Sequence, residues 1–283
     1  MNLQRGSKGF GVVKLQQQLN RVGAMLVCDG DFGGSTERAV CYAQDMAGLT
    51  IDGVSDQVLQ HWLGSRPEPY PALATEGVAM IAREETGGLA YYHAVCRYPH
   101  YPGYASGITI GVGYDLRFAS EHSFRGLWQP YLSVGAINEL ALYIGRRGTK
   151  SGAAELRNKG IEVPFKAAWP VFIEQLMPQY FSLTESLFPQ LSRLSKSCRA
   201  VLVSIVFNRG TSLSGDRRKE LRIIRDKLAE AYSSGIDQAE QRQLLTSIED
   251  DIVSMQRLWG ADSGLYRRRQ VEANMWRRGM QSL

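Results

Sequence analysis

Glu85, Thr109 and Asp115 are the residues whose types and spacing suit acid–base chemistry. Val78, Ile81 and Glu85 recur at helical spacing, which puts Glu85 on the apolar face near the C-terminal end of a helix predicted from 72 to about 85. Loss of water and the negative end of a helix dipole both disfavour a charged carboxylate, so this is a place for a proton donor. Spacing alone leaves a second reading open, in which Glu85 is a surface member of the pair Glu84-Glu85 and Glu84 is the alternative acid. The stretch SGITIGVGYDL, residues 106–116, alternates Ile108, Ile110 and Val112 with Thr109, Gly111 and Gly113, the period of a half-buried strand. Thr109 and Asp115 begin on one face, yet a straight strand would hold them about 20 Å apart. Gly111 and Gly113 allow the bend that brings them together. A carboxylic acid facing an ionised carboxylate, with a hydroxyl to orient water, is the arrangement that cleaves glycosidic bonds. The other readings make Asp115 a turn cap and Thr109 a β-branched strand residue.

The elements that must position these residues fall into two parts. Residues 1–65 read as three helices: Val12, Leu15 and Leu19 mark the first, a second follows Ser35, and a third covers 54–63. Two Asp-Gly turns, in CDGDFG and IDG, punctuate them as a weak internal duplication. RPEPYP, residues 66–71, has three prolines in six positions and reads as an extended linker. In the remainder, 72–283, residues 89–118 are rich in Tyr, Pro and Gly and read as a cleft. Beyond it Cys198, Val201, Leu202, Ile205 and Val206 predict a central core helix, and Leu221, Ile224 and Leu228 another. The fold class expected is α+β and mainly α, a three-helix domain followed by a helical domain with one small antiparallel sheet.

Charge narrows the partners. The chain carries a formal +5, with a net −1 on residues 1–65 and +6 on the rest. A basic surplus suits an anionic polymer, and the absence of any finger, RNP-type or basic-zipper pattern speaks against nucleic acid. Arg267, Arg268, Arg269, Arg277 and Arg278 flank Trp276 and are expected to form a solvated charged face, with a share in holding an anionic wall or outer-membrane surface. The longest apolar run, 200–207 with one serine, is far short of the roughly 20 residues of a membrane span. The N-terminus shows no apolar secretory core, so synthesis in a reducing cytoplasm is expected. Cys28, Cys41, Cys96 and Cys198 make no CxxC pair and are expected as thiols, a bridge between Cys28 and Cys41 being the one alternative. His61, His93, His100 and His122 have no metal-ligand spacing, so neither metal nor cofactor is expected.

Glu85-Thr-Gly-Gly, Tyr91-Tyr92 and the run from Tyr101 through Ser-Gly-Ile-Thr-Ile-Gly-Val-Gly-Tyr-Asp to Leu116 resemble the catalytic region of phage lysozyme-type muramidases, in particular their pesticin-like branch. The likeness continues through Pro164 to Trp169, Phe207-Asn208-Arg209-Gly210, Gly215 to Arg218 and Arg257-Leu-Trp259, and so covers most of 72–283. It implies a lysozyme-like domain that hydrolyses the β-1,4 bond between N-acetylmuramic acid and N-acetylglucosamine, with Glu85 as general acid and Thr109 and Asp115 holding the water. Ordinary phage lysozymes place an Asp nine residues after the Glu; Ala94 stands there in this chain, and the pesticin-like alternative is Asp115. Tyr98, Tyr101 and Tyr104 suit sugar stacking or loop packing, and Asn208-Arg209 suits the cleft or a helix end closed by Gly210.

Residues 1–65 resemble the peptidoglycan-binding module of cell-wall hydrolases through Leu15-Gln16, Asp29 to Gly33, Thr36, Ala39-Val40, Gly48-Leu49, Asp52-Gly53 and Trp62. That implies a wall-binding surface at Asp29, Asp31 and Phe32, although the same glycines and Phe32 also suit a folding role. Together the two likenesses imply a monomeric modular phage endolysin whose partner is bacterial peptidoglycan and whose release depends on a holin-type pore. The rival readings are a lytic transglycosylase, which needs Glu85 alone, and a non-enzymatic wall-binding phage structural protein.

Overall fold

The computed structural model describes residues 2–103 and 105–281. Among the described residues the fold is mostly helical with one two-stranded antiparallel sheet, and the chain divides into two compact units. The first takes residues up to Pro69 together with Ala82–Met177; the second takes Tyr70–Ile81 together with residues from Pro178 onward. Among the described residues no helix is long and apolar enough to cross a membrane.

The first unit begins with three helices, α1 (Phe10–Arg21), α2 (Gly34–Ala47) and α3 (Gln57–Gly64). Val12, Leu15, Leu19, Val40, Leu59 and Leu63 form their shared core around Phe32. A glutamine on each of the first two helices pins one Asp-Gly turn. Gln16 donates through Nε2 to Asp29 Oδ1 at 2.8 Å and accepts through Oε1 from the Gly30 N–H at 3.0 Å. Gln44 repeats the circuit, donating to Asp52 Oδ1 at 2.7 Å and accepting from the Gly53 N–H at 3.0 Å. In both turns the glycine has positive φ, 77° at Gly30 and 73° at Gly53, a conformation that disfavours a side chain. The internal duplication is therefore a repeated hydrogen-bond device as well as a repeated dipeptide. Cys28 and Cys41 are not bridged to one another.

The same unit continues with the end of α4 (Thr75–Thr86), from Ala82 on, and with the hairpin β1 (Thr109–Ile110) and β2 (Tyr114–Asp115). Ile108 and Ile110 are wholly buried, as are Phe124 and Trp128 of the helix Glu121–Trp128 that follows. Tyr114 packs edge-on against Trp128, with ring centroids 5.5 Å apart. The hairpin thus turns its isoleucine face to the core.

In the second unit the helix Lys196–Arg209 is the core element, with Ala200–Val206 fully buried. Gly77, in the part of α4 that belongs here, abuts it so closely that an added Cβ would lie 2.2 Å from the Ala200 methyl. The arginine cluster of the helix Gly264–Gln281 departs from the solvated face that its sequence suggests. Arg268 and Arg269 are buried, and both pair with the buried Glu272, at 3.2 and 2.9 Å. Arg277 pairs with Glu249, and Arg278 with Glu76 at 2.9 Å. The helix turns two of its arginines inward because Glu272 and the Ser204 hydroxyl, 2.6 Å apart, supply acceptors inside the core.

Removing the Gln44 side chain leaves the buried Gly53 N–H without its acceptor, at a cost of about 1–3 kcal/mol. Gln44→Ala is expected to lower the urea midpoint accordingly, whereas a surface control such as Gln17→Ala leaves it in place; equilibrium denaturation of the full chain reads the difference.

Candidate active site

Thr109 and Asp115 stand directly opposite each other across the hairpin. Gly111 and Gly113, with φ of 59° and 77°, make the turn that folds one onto the other. An added Cβ at Gly111 would lie 2.9 Å from the Trp128 ring, so close packing as well as φ demands glycine there. Toward its other neighbour, Thr109 exchanges both backbone hydrogen bonds with His100, at 2.8 and 3.0 Å. Thr109 and Asp115 therefore form a non-hydrogen-bonded pair, the kind whose side chains approach most closely, with Cβ atoms about 4.5–5.5 Å apart. Partners directly across a ladder share a face, so His100, Thr109 and Asp115 emerge in one row. Thr109 is 6% exposed, and among the described residues no hydrogen bond engages its hydroxyl.

The Asp115 carboxylate is held by the backbone. Its Oδ1 accepts from the Gly107 N–H at 3.0 Å and the Arg117 N–H at 2.8 Å, and its Oδ2 lies 3.1 Å from the same Gly107 nitrogen. It thereby caps the short helical turn Leu116–Phe118. Gly107 makes this possible: a Cβ on it would lie 2.4 Å from Oδ1. A carboxylate has about four lone-pair sites, more than these two backbone donors occupy.

Glu85 lies one residue before the end of α4 and is half-buried, rather than enclosed as its apolar-face position suggests. Gly87 and Gly88, with φ of 72° and 92°, stop the helix immediately beyond it. Thr86 fixes that last turn, its hydroxyl donating to the Ala82 carbonyl at 2.7 Å. Glu84, the alternative acid, sits 3.8 Å from the Arg83 guanidinium. Glu85 thus belongs to the same unit as the hairpin, on a rigid helix end.

The remaining expected residues are more dispersed. Tyr98 is half-buried and stacked by two guanidiniums, Arg157 at 4.2 Å and Arg97 at 5.3 Å, which occupy faces a sugar ring would need. Tyr104 lies outside the described residues. Asn208 and Arg209 end the core helix of the second unit, where Gly210 provides the cap. Arg209 is buried beside Trp259 and donates to the Arg217 carbonyl. Burial, with repulsion from Arg218 and Arg269, pushes it down to about 10, so it still carries charge at neutral pH. In the N-terminal module Asp29 and Asp31 are exposed. Burial works against the charge on Asp29, but hydrogen bonds from the Asp31 N–H and Gln16 outweigh it and hold the carboxyl below its usual range. Phe32, expected beside them at the wall, is wholly buried; its ring closes the module's core and is out of reach of a polymer.

His100, which the sequence offers only as one histidine without metal-ligand spacing, joins Thr109 and Asp115 in one row. Burial pushes its imidazole below the usual range, partly opposed by the Tyr98 carbonyl 3.4 Å from Nδ1. The unfolded chain protonates this histidine near its ordinary pKa of about 6.5, and the folded protein only at lower pH. In that window the unfolded state binds more protons, so stability falls as pH falls. Denaturation between pH 7.5 and 5.5 is expected to show that slope, and His100→Gln to flatten it relative to wild type.

Residues 8–62 match a family model described as "Putative peptidoglycan binding domain". No curated protein matches the chain. Among solved structures, the crystal structure of Burkholderia AP3 phage endolysin is matched over 100% of both chains at 14% identity and a TM-score of 0.22, a superposition too loose to bear on fold or function.

Proposed function

We propose that the chain is a modular endolysin: residues 1–65 bind peptidoglycan, 66–71 connect, and 72–283 hydrolyse the β-1,4 bond between N-acetylmuramic acid and N-acetylglucosamine. The observation that carries this reading is the pairing of Thr109 with Asp115 across the hairpin, the carboxylate anchored by backbone N–H groups. In this mechanism Glu85, in its acid form, protonates the glycosidic oxygen. Thr109 orients a water molecule through its hydroxyl, and Asp115 takes that water's proton as it attacks the anomeric carbon from the opposite face of the sugar. The anomeric configuration inverts. The peptidoglycan family match over residues 8–62 supports the wall as the place of action. In a phage-infected cell the product is lysis, after a pore of holin type gives access to the wall.

A second reading is favoured by the cap that Asp115 makes on its own turn. There Asp115 only shapes the hairpin, Thr109 alone holds the water, or no water attacks at all and Glu85 drives a lytic transglycosylase reaction.

Two substitutions and one product analysis separate these readings. Glu85→Gln is expected to reduce release of muropeptides from purified peptidoglycan to near background while the far-UV spectrum and melting midpoint are retained. Asp115→Asn keeps an oxygen to accept from Gly107 and Arg117 but loses the charge, so activity is expected to fall about 10²–10⁴-fold if Asp115 is the base. Mass spectrometry should find reducing N-acetylmuramic acid ends; 1,6-anhydro ends would replace the hydrolase with a transglycosylase, and binding without any new ends would leave a structural wall-binding protein.

A further inference from the structure

Thr109 is the middle member of a row that crosses three stretches of extended chain. On one side it exchanges both backbone hydrogen bonds with His100, at 2.8 and 3.0 Å; on the other it faces Asp115 in a pair without backbone bonds. Residues directly across an antiparallel ladder share a face, with Cβ atoms about 4.5–5.5 Å apart. An imidazole and a carboxylate therefore flank one hydroxyl, and all three belong to the first unit. The backbone pairing of His100 would serve any side chain, so it does not account for an imidazole.

The direction of the Thr109 hydroxyl decides what the row can do. A hydroxyl has one proton to give and two lone pairs with which to accept. A water that attacks a sugar has two protons: one passes to the base, and the other is donated to the group that holds the water. For Thr109 to hold it, the Thr109 oxygen must accept, and its own proton must go to a second acceptor. Asp115 is poorly suited to that part. Its Oδ1 already accepts from the Gly107 and Arg117 N–H groups, and its Oδ2 lies 3.1 Å from the Gly107 nitrogen. A further donor would stabilise its charge and weaken it as a base.

The acceptor on the opposite side is His100. Its Nδ1 lies 3.4 Å from the Tyr98 carbonyl oxygen, which can only accept, so the proton of the neutral ring belongs on Nδ1 and the lone pair on Nε2. Tyr98 is itself held, its N–H donating to the Val95 carbonyl at 3.2 Å and its ring lying 4.2 Å from the Arg157 guanidinium. Burial pushes the imidazole below its usual range, which keeps it neutral at pH 7.

We infer that His100 is a positioning residue for hydrolysis: its Nε2 accepts the Thr109 hydroxyl proton, directly or through one bridging water, and so turns the Thr109 lone pairs toward the water that Asp115 deprotonates. The hydrogen bonds then run one way, from the attacking water to Thr109, from Thr109 to His100, and from His100 to the Tyr98 carbonyl. No proton changes owner along this line; the one that leaves the water goes to Asp115. The inference rests on the hydrolase reading above.

The test follows the release of reducing ends from soluble glycan strands by the full chain, with kcat and KM measured for each variant. His100→Phe keeps a flat ring without an acceptor and is expected to lower kcat by about tenfold or more while KM stays within about twofold, because the imidazole touches no sugar. His100→Gln carries an amide oxygen at the position of Nε2 and is expected to restore kcat to within about threefold of wild type. Thr109→Val is expected to be slow, and the His100→Phe/Thr109→Val double variant no slower, since His100 acts only through that hydroxyl. If melting shows that His100→Phe does not fold, His100→Asn, whose amide ends at the position of Nδ1, takes its place with the same expected loss. Losses that multiply in the double variant, or a folded Gln variant as slow as the Phe variant, would overturn the inference. A slow Thr109→Val beside a fully active His100→Phe would refute His100 alone and keep the hydrolase, whereas a fully active Thr109→Val would remove the water-holding mechanism and His100 with it.

Discussion

The grip of the Asp115 carboxylate on the Gly107 and Arg117 amides is the contact on which the geometry of the hairpin site depends. Charge-assisted hydrogen bonds of this kind are stronger than neutral ones, and they are made to backbone that cannot rotate away. They impose a requirement further along the chain. Because the carboxylate lies on Gly107, residue 107 can carry no side chain, and its peptide is free to be approached from the other direction. Gly148 does so: its N–H donates to the Ser106 carbonyl at 3.0 Å, and a Cβ there would lie 2.6 Å from Gly107 carbonyl atoms. Two glycines 41 positions apart thus serve one carboxylate. The row of His100, Thr109 and Asp115 is held by backbone pairing on one side and by this packing on the other.

Charge is spent differently in the two units. In the second, the conspicuous arginines are structural: Arg268 and Arg269 share Glu272 in the interior, and Ser204 completes the acceptor set. Desolvating three charged groups is unfavourable unless every partner is in place, which ties the helix Gly264–Gln281 to Lys196–Arg209 at one register. Removing Glu272 alone would strand two cations in the core. In the first unit the charged groups remain near solvent, where they can meet a ligand. The basic surplus of the sequence is thus a poor guide to where an anionic polymer would touch, because a good part of it is neutralised by specific acids.

The elements that were legible in the sequence are those whose signal is local. The alternation of Ile108 and Ile110 with Thr109, and the glycines at 111 and 113, predict the hairpin because pleat and turn are short-range properties. The helix around Val201 and Ile205 is equally plain from its apolar content. What was not legible depends on contacts between distant residues. Nothing near Arg268 says that Glu272 and Ser204 will face it inside a core. His100 could not be placed beside Thr109, because the loop between them has no period. Phe32 carried an ambiguous signal, since the pattern that marks a turn as a binding surface is the same one that fixes a buried aromatic beneath it.

Residues 66–71 look like a tether in the sequence, yet the packing of the module is that of a structural part. A flexible linker serves a binding domain that must search; here Gly23 and Tyr42 of the module pack on Phe165 and Trp169. Gly23 is the decisive residue, because only the absence of a side chain lets the loop after α1 lie on two aromatic rings. Phe165 and Trp169 are buried to 1% and 8% exposure with the module in place. The module therefore shields these rings and, through Met25, touches the last turn of α4, which carries Glu85.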